Sequence, residues 1–179
     1  MNLARTLVES SDWEKIEDFD HGRVRRHSRK PVTILEIDEL HIHADGIDKI
    51  HMVETGETID EVLVLSRHVS STNTPAITLH AIGLPGIAPV GEKGVAGGVN
   101  GHVVPPSPRF SSLYRRMLDV ARENGLEGDF DLTLETTHHG PRLDIPSLYI
   151  EIGSTEAEWN RKDAAMVWST VICDVLGLN

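Results

Sequence analysis

The sequence predicts an α/β fold: a single domain over residues 1–179, with a mixed, mostly parallel sheet flanked by helices. Three observations carry that prediction. Two continuous apolar runs, Glu61–Ser66 (EVLVLS) and Ala76–Ile82 (AITLHAI), have the composition of strands covered on both faces. Two later stretches, Ser107–Gly125 and Thr155–Gly177, repeat apolar residues at helical spacing. Strand and helix patterns alternate along the chain, which is the signature of helices packed on a sheet. With 39% hydrophobic residues in 179, one domain can bury a core of its own.

Taken in order, residues 3–9 (LARTLVE) read as a short helix. Val32–Ile37 reads as a strand entered through Pro31. Leu40–Ala44 alternates with period two, which puts His41 and His43 on one strand face. Such a pair can bind zinc; it is also the ordinary wet side of an antiparallel strand. The run at 61–66 ends in Ser66-Arg67-His68, and the run at 76–82 contains His80. Residues 83–106 are rich in Gly and Pro, and a connection of that length is functional or disordered. No phosphate-loop pattern fits it, and Gly94 and Gly97-Gly98 do not follow a strand in the dinucleotide-binding manner.

Ser107-Pro108 starts a helix as N-cap and first helical residue. Phe110, Leu113, Tyr114, Met117 and Ala121 form its core face, and Asn124-Gly125 closes it. Arg109 and Arg116, seven residues apart, share one side of that helix. Phe130–Thr137 and Ser147–Ile152 are further strands. Thr155–Glu158 is a capping box that opens the last helix. Ala164, Ala165, Trp168, Val171, Ile172 and Val175 form a stripe along it, and Gly177 stops it.

A net charge of −11 argues against non-specific nucleic-acid binding by the whole surface. One local basic segment, Arg23–Lys30, could contact phosphates or form a solvated edge strand or loop. No apolar run approaches the roughly 18 residues of a membrane span, and the first residues lack a signal-peptide core. Cys173 is the sole cysteine, so no intrachain disulfide forms, and a cytoplasmic location is expected. It lies in an apolar stripe and no G-x-S-x-G pattern exists, so neither thiol nor serine nucleophile chemistry is indicated.

In open α/β sheets the ligand crevice lies outside the carboxyl ends of the strands. Arg67 and His68, His80, Glu135 with His138 and His139, and Glu151 all fall at or near such ends. They are therefore expected along one sheet edge. Adjacent His138 and His139 can converge only if the chain turns between them, and Gly140-Pro141 makes a turn there.

Three segments then resemble a known family. They are LSRHVSSTNTPAITLHAIG (65–83), LETTHHGP (134–141) and PSLYIEIGSTEAEWNRKDAA (146–165). They resemble the D-aminoacyl-tRNA deacylases of archaea and plants, from about residue 57 to 178. The resemblance implies hydrolysis of the ester joining a D-amino acid to the 3′ end of tRNA, zinc dependence, and a fold like that of peptidyl-tRNA hydrolase and nucleoside phosphorylases. It also implies a longer chain. The family opens with a strand before its first helix, and it continues past the position of Asn179 into a GGGHYAP segment expected to bring a further histidine.

On that reading His138, His139, Glu135 and His80 are candidate catalytic groups. His68, His80, His138, His139 and Glu151 are the pool of candidate zinc ligands, with Glu151 alternatively a carboxylate behind them. Arg67 could meet a phosphate or the terminal ribose, or pair with one of 28 acidic residues. Ser154 and Thr155, at a helix N-terminus, could bind an anion or simply cap the helix. Arg109 and Arg116 are further candidate tRNA contacts. The expected partner is tRNA charged with a D-amino acid, with the protein a monomer that meets no membrane. The alternatives are an inactive short form that binds tRNA or a partner, and a different metal-assisted hydrolase on the same fold.

Overall fold

A computed structural model describes residues 2–86 and 97–179. Gly94, and residues 87–96 generally, lie outside the described residues. The chain opens with α1 (Asn2–Glu9) and continues into an antiparallel sheet of β1 (Glu17–Phe19), β2 (Gly22–Arg26) and β3 (Thr33–Glu36), in that order. A 3₁₀ turn (His41–His43) leads to α2 (Ile47–Thr55). A second sheet is built from β4 (Val62–Arg67), β5 (Ala76–His80), β6 (Asp131–Leu134) and β7 (Ser147–Gly153). Between β5 and β6 lies α3 (Phe110–Glu123), and after β7 come α4 (Glu156–Trp159) and α5 (Lys162–Leu176).

The four-stranded sheet has the order β4-β7-β5-β6. The pairs β4–β7 and β5–β6 are parallel, but β5 runs antiparallel to β7. The sheet is mixed, as expected, with one consequence the sequence pattern does not show. The carboxyl ends of β5 and β6 lie opposite those of β4 and β7, so the candidate residues do not share a carboxyl edge. They share a face instead. Register places Ser66 beside Glu151, Glu151 beside Thr78, and Tyr149 beside His80. Residues in register point the same way, so all five rise from one side of the sheet.

The other side is apolar. Ile77, Leu79, Leu148, Ile150 and Ile152 pack against Leu3 and Leu7 of α1, Leu113 and Met117 of α3, and Trp168 and Val171 of α5. A smaller cluster of Ile82, Val104, Leu143 and Tyr149, with Val62 and Val64, fills one end of the polar side. Alternation within β7 thus sends Leu148, Ile150 and Ile152 into the main core and Tyr149 and Glu151 to the site.

Several local expectations change. His41–His43 is a 3₁₀ turn rather than a strand: the His43 and Ala44 N–H groups bond back to Leu40 and His41 oxygens. The two histidines therefore do not line a strand face. Helix α3 begins at Phe110, because Ser107 shapes the turn before it by accepting the Arg109 N–H at 3.0 Å. The Thr155 capping box forms, but it opens only the four residues of α4, and α5 restarts after an extended Arg161. Edge position also leaves β4 only half-buried rather than covered on both faces. In the basic segment, β2 is a central strand whose Arg23 and Arg26 pair with Glu36, Glu17 and Glu57, and Arg29 beyond it pairs with Asp12.

Helix α2 ties the first sheet to the loop after His139. Buried Asp48 accepts N–H bonds from Asp144 and Ile145 at 2.8 and 3.1 Å. Toward the other end, His51 joins His21 at 3.0 Å and Glu57 at 2.9 Å.

Candidate functional site

The ladders extend one residue past their strands and so aim the site. The Glu135 N–H reaches the Leu79 oxygen at 3.2 Å, and the His68 N–H reaches the Ile152 oxygen at 3.0 Å. This keeps Glu135 beside His80 and brings His68 back toward Glu151. Beyond Glu135 the chain runs alongside residues 79–83, bridging Ile82 to His138 and bonding the Gly83 N–H to the His139 oxygen at 2.9 Å. His139 has φ of +45°, a left-handed conformation uncommon outside glycine. That turn lets two adjacent histidines face one point.

The three imidazoles are oriented alike. His80 Nδ1 is 2.9 Å from the Ala81 oxygen, His138 Nδ1 is 2.7 Å from the Thr136 oxygen, and His139 Nδ1 is 2.7 Å from the Gly140 oxygen. A carbonyl only accepts, so each Nδ1 carries a proton, and Nε2 is the nitrogen that offers a lone pair when the ring is neutral. One nitrogen from each ring gathers in a cluster no more than 4.8 Å across. His80 Nε2 is buried without a hydrogen-bond partner, an expensive state unless something is bound there. Burial pushes His80 and His139 down to about 4, and it lowers His41 as well. Three imidazoles turned to one point, with His80 and His139 held toward the neutral form, suit a divalent metal held by three histidines with a fourth position open.

Beside them lies a group of opposite character. His68 Nδ1 is 3.0 Å from Glu135 Oε1 and 3.4 Å from Glu151 Oε2. The bond to Glu151 raises the His68 pKa against the effect of burial, with the charge of Glu135 helping. Burial pushes Glu151 up, but His68, His80, Ser66 and His139 together hold it below the usual carboxylate range. The pair is a buried carboxylate beside a histidine held toward its protonated form. Glu135 Oε2 also lies 3.7 Å from His138 Nε2, so it stands between the two groups.

The model of the family described as D-aminoacyl-tRNA deacylase matches residues 55–179. The chain belongs to the D-aminoacyl-tRNA deacylase family. A D-aminoacyl-tRNA deacylase of Arabidopsis thaliana is 38% identical over 155 residues, covering 87% of this chain and 49% of that protein. One of Methanosarcina acetivorans is 31% identical over 162 residues, covering 88% and 52%. The crystal structure of a conserved protein of unknown function superposes with a TM-score of 0.83 at 29% identity, over 98% of this chain and 58% of that one. The chain spans about half the length of the curated relatives it matches. The span matching the deacylase family contains His68, His80, Glu135, His138, His139 and Glu151.

The remaining candidates sit elsewhere. Ser154 is buried and donates to the Thr74 oxygen at 2.6 Å, while Thr155 caps α4. Arg109 is bonded to Glu61, and Arg116 to Asp174 and Glu123. Arg67 is exposed and stacks over Trp159 at 4.9 Å. No described helix is long and apolar enough to cross a membrane.

Sequence reasoning missed Tyr149 and Ser66 and misplaced His41. Tyr149 is fully buried, lies parallel to the His80 ring at 4.9 Å and edge-on to His139 at 4.6 Å, and donates to the Gly140 oxygen at 3.1 Å. Ser66 Oγ is 3.0 Å from His41 Nε2. Period two in SLYIEI gives Tyr149 the same facing as Glu151, so the signal for Tyr149 was present. Nothing in the pattern brings His41 to Ser66.

Proposed function

We propose that this chain hydrolyses the ester between a D-amino acid and the 3′ end of tRNA, as a cytoplasmic monomer. The observation that carries the reading is the convergence of one nitrogen from each of three histidines beside a second group of His68, Glu135 and Glu151. The family, and the activity named for its relatives, supply the substrate class. A zinc ion held by Nε2 of His80, His138 and His139 would supply a Lewis acid for the ester carbonyl and a water of lowered pKa.

The protein groups divide the proton work. Glu135 Oε2, beside His138, accepts a proton from the attacking water. His68, whose protonated form is favoured by Glu135 and Glu151 at Nδ1, gives the proton of its other nitrogen, Nε2, to the leaving 3′ oxygen of the ribose. Glu151 stays charged and keeps His68 protonated. Tyr149 lies against the rings of His80 and His139 and excludes water behind them.

The test is release of free tyrosine from D-tyrosyl-tRNA, with L-tyrosyl-tRNA in parallel. The expected result is release from the D-ester by zinc-loaded protein, with Glu135→Gln slower by about 100-fold or more. Zinc-loaded protein that binds tRNA without releasing D-tyrosine would contradict the proposal.

A further inference from the structure

A second pair of histidines, apart from the candidate site, sits in the middle of an unbroken chain of polar contacts. His21 Nδ1 is 2.6 Å from Glu54 of α2, His21 Nε2 is 3.0 Å from His51 Nδ1, and His51 Nε2 is 2.9 Å from Glu57. The chain joins the turn between β1 and β2, which carries His21, to α2, which carries His51. Around it, the Asp20 and His21 N–H groups add to the hold on Glu54. Arg26 of β2 and Thr33 of β3 bond Glu57, and Glu17 of β1 pairs with Arg26. Asp48, one turn before His51 on α2, is engaged by the Asp144 and Ile145 N–H groups. Both rings are buried: the His21 side chain is 3% exposed and His51 4%.

Three hydrogen bonds in a row need three protons. The bond from His21 is the main influence holding Glu54 below the usual carboxylate range. Burial pushes Glu57 up, but bonds from His51, Arg26 and Thr33 bring it below that range as well. Ionised carboxylates only accept, so His21 Nδ1 and His51 Nε2 carry the protons that two neutral rings supply. The inner nitrogens would then face each other as two lone pairs at 3.0 Å, a gap too short to admit water. One further proton, on either inner nitrogen, makes that contact a hydrogen bond. A proton on both sets two donors against each other. We propose that His21 and His51 share one proton beyond those of two neutral rings, and that this proton latches the β1–β2 turn onto α2. The latch opens when that proton leaves as the pH rises, and again when a second arrives as the pH falls. It acts on the helix that holds the loop after His139 through Asp48. The inference stands apart from the tRNA reading.

The experiment follows the imidazole nitrogens of the full chain, labelled with ¹⁵N-histidine, by NMR from about pH 5 to 9. In wild type the His21 and His51 rings should respond together, in two steps about one pH unit or more apart. Between the steps the two rings should show a single lone-pair nitrogen, and the amides of Asp20, His21 and Gly22 should shift with both steps. In His21→Ala, His51 should respond once and alone. Rings that titrate independently in wild type, or two facing lone-pair nitrogens between the steps, would overturn the latch, and neither result depends on a variant that folds. A metal ion held by wild type and lost by His21→Ala would also overturn it, by placing a metal where the proton is assigned.

Discussion

His80 is buried and His139 half-buried, both held toward the neutral ring, while His68, a neighbour on the same sheet face, is held toward its protonated form. These states set a pH dependence of folding whose two limbs have opposite signs. The pKa values of His80 and His139 fall from the ordinary 6.5 to about 4, so the unfolded chain binds more protons between those values. Stability from these rings is complete above pH 6.5 and is lost as the pH falls toward 4; the His80 shift alone corresponds to about 3 kcal/mol. The pKa of His68 is raised, so its contribution is complete below 6.5 and is lost as the pH rises through its folded value. Thermal melting of metal-free protein from pH 4 to 9 should therefore peak near pH 6.5. His68→Gln should flatten the alkaline limb. A melting temperature that climbs steadily to pH 9 would contradict these assignments. Much of this site could be read from residue types and spacing, because His80, Glu135, His138 and Glu151 all terminate or continue recognisable strands. The tautomers could not, since they depend on which carbonyl each ring happens to meet.

At the scale of elements, convergence of His138 and His139 depends on a contact among three segments. A Cβ on Gly140 would stand 2.3 Å from the Gly98 nitrogen and 2.5 Å from the Ile42 oxygen, both backbone atoms that cannot rotate away. Gly140→Ala should therefore cost about 2–3 kcal/mol and lower the melting temperature by roughly 5 °C or more. Gly128→Ala, where nothing lies within 4 Å, should be nearly silent in the same melting experiment. Equal melting temperatures for the two variants would contradict the close approach. The strands of the second sheet, α3 and the capping box were legible because period, caps and apolar runs are local signals. The 3₁₀ turn at His41–His43 was not: its five alternating residues imitate a strand, and only the absence of a pairing partner decides otherwise. Helix α2 escaped for a similar reason, since the turn before it and its bonds to Asp144 and Ile145 involve distant parts of the chain.

At the scale of the molecule, one mixed sheet separates two jobs. Its apolar face is sealed by α1, α3 and α5, and its polar face carries the histidines and carboxylates. The α/β class was legible from alternating strand and helix patterns. Strand direction was not, because a strand reads the same whichever way its neighbour runs. An edge was therefore expected where the register of β5 against β7 makes a face. Alternation along β7 explains why Tyr149 and Glu151 serve the site while Ile150 and Ile152 serve the core. The central claim is that this face exists to hold a metal through Nε2 of His80, His138 and His139. Zinc content per folded chain, measured after equilibration with zinc and gel filtration, tests it most directly. Wild type and Arg109→Ala should each carry about one zinc bound through a three-histidine site, and His80→Ala, His138→Ala and His139→Ala should each lose it. Full zinc retention in all three histidine variants, folded and equilibrated alike, would contradict the account.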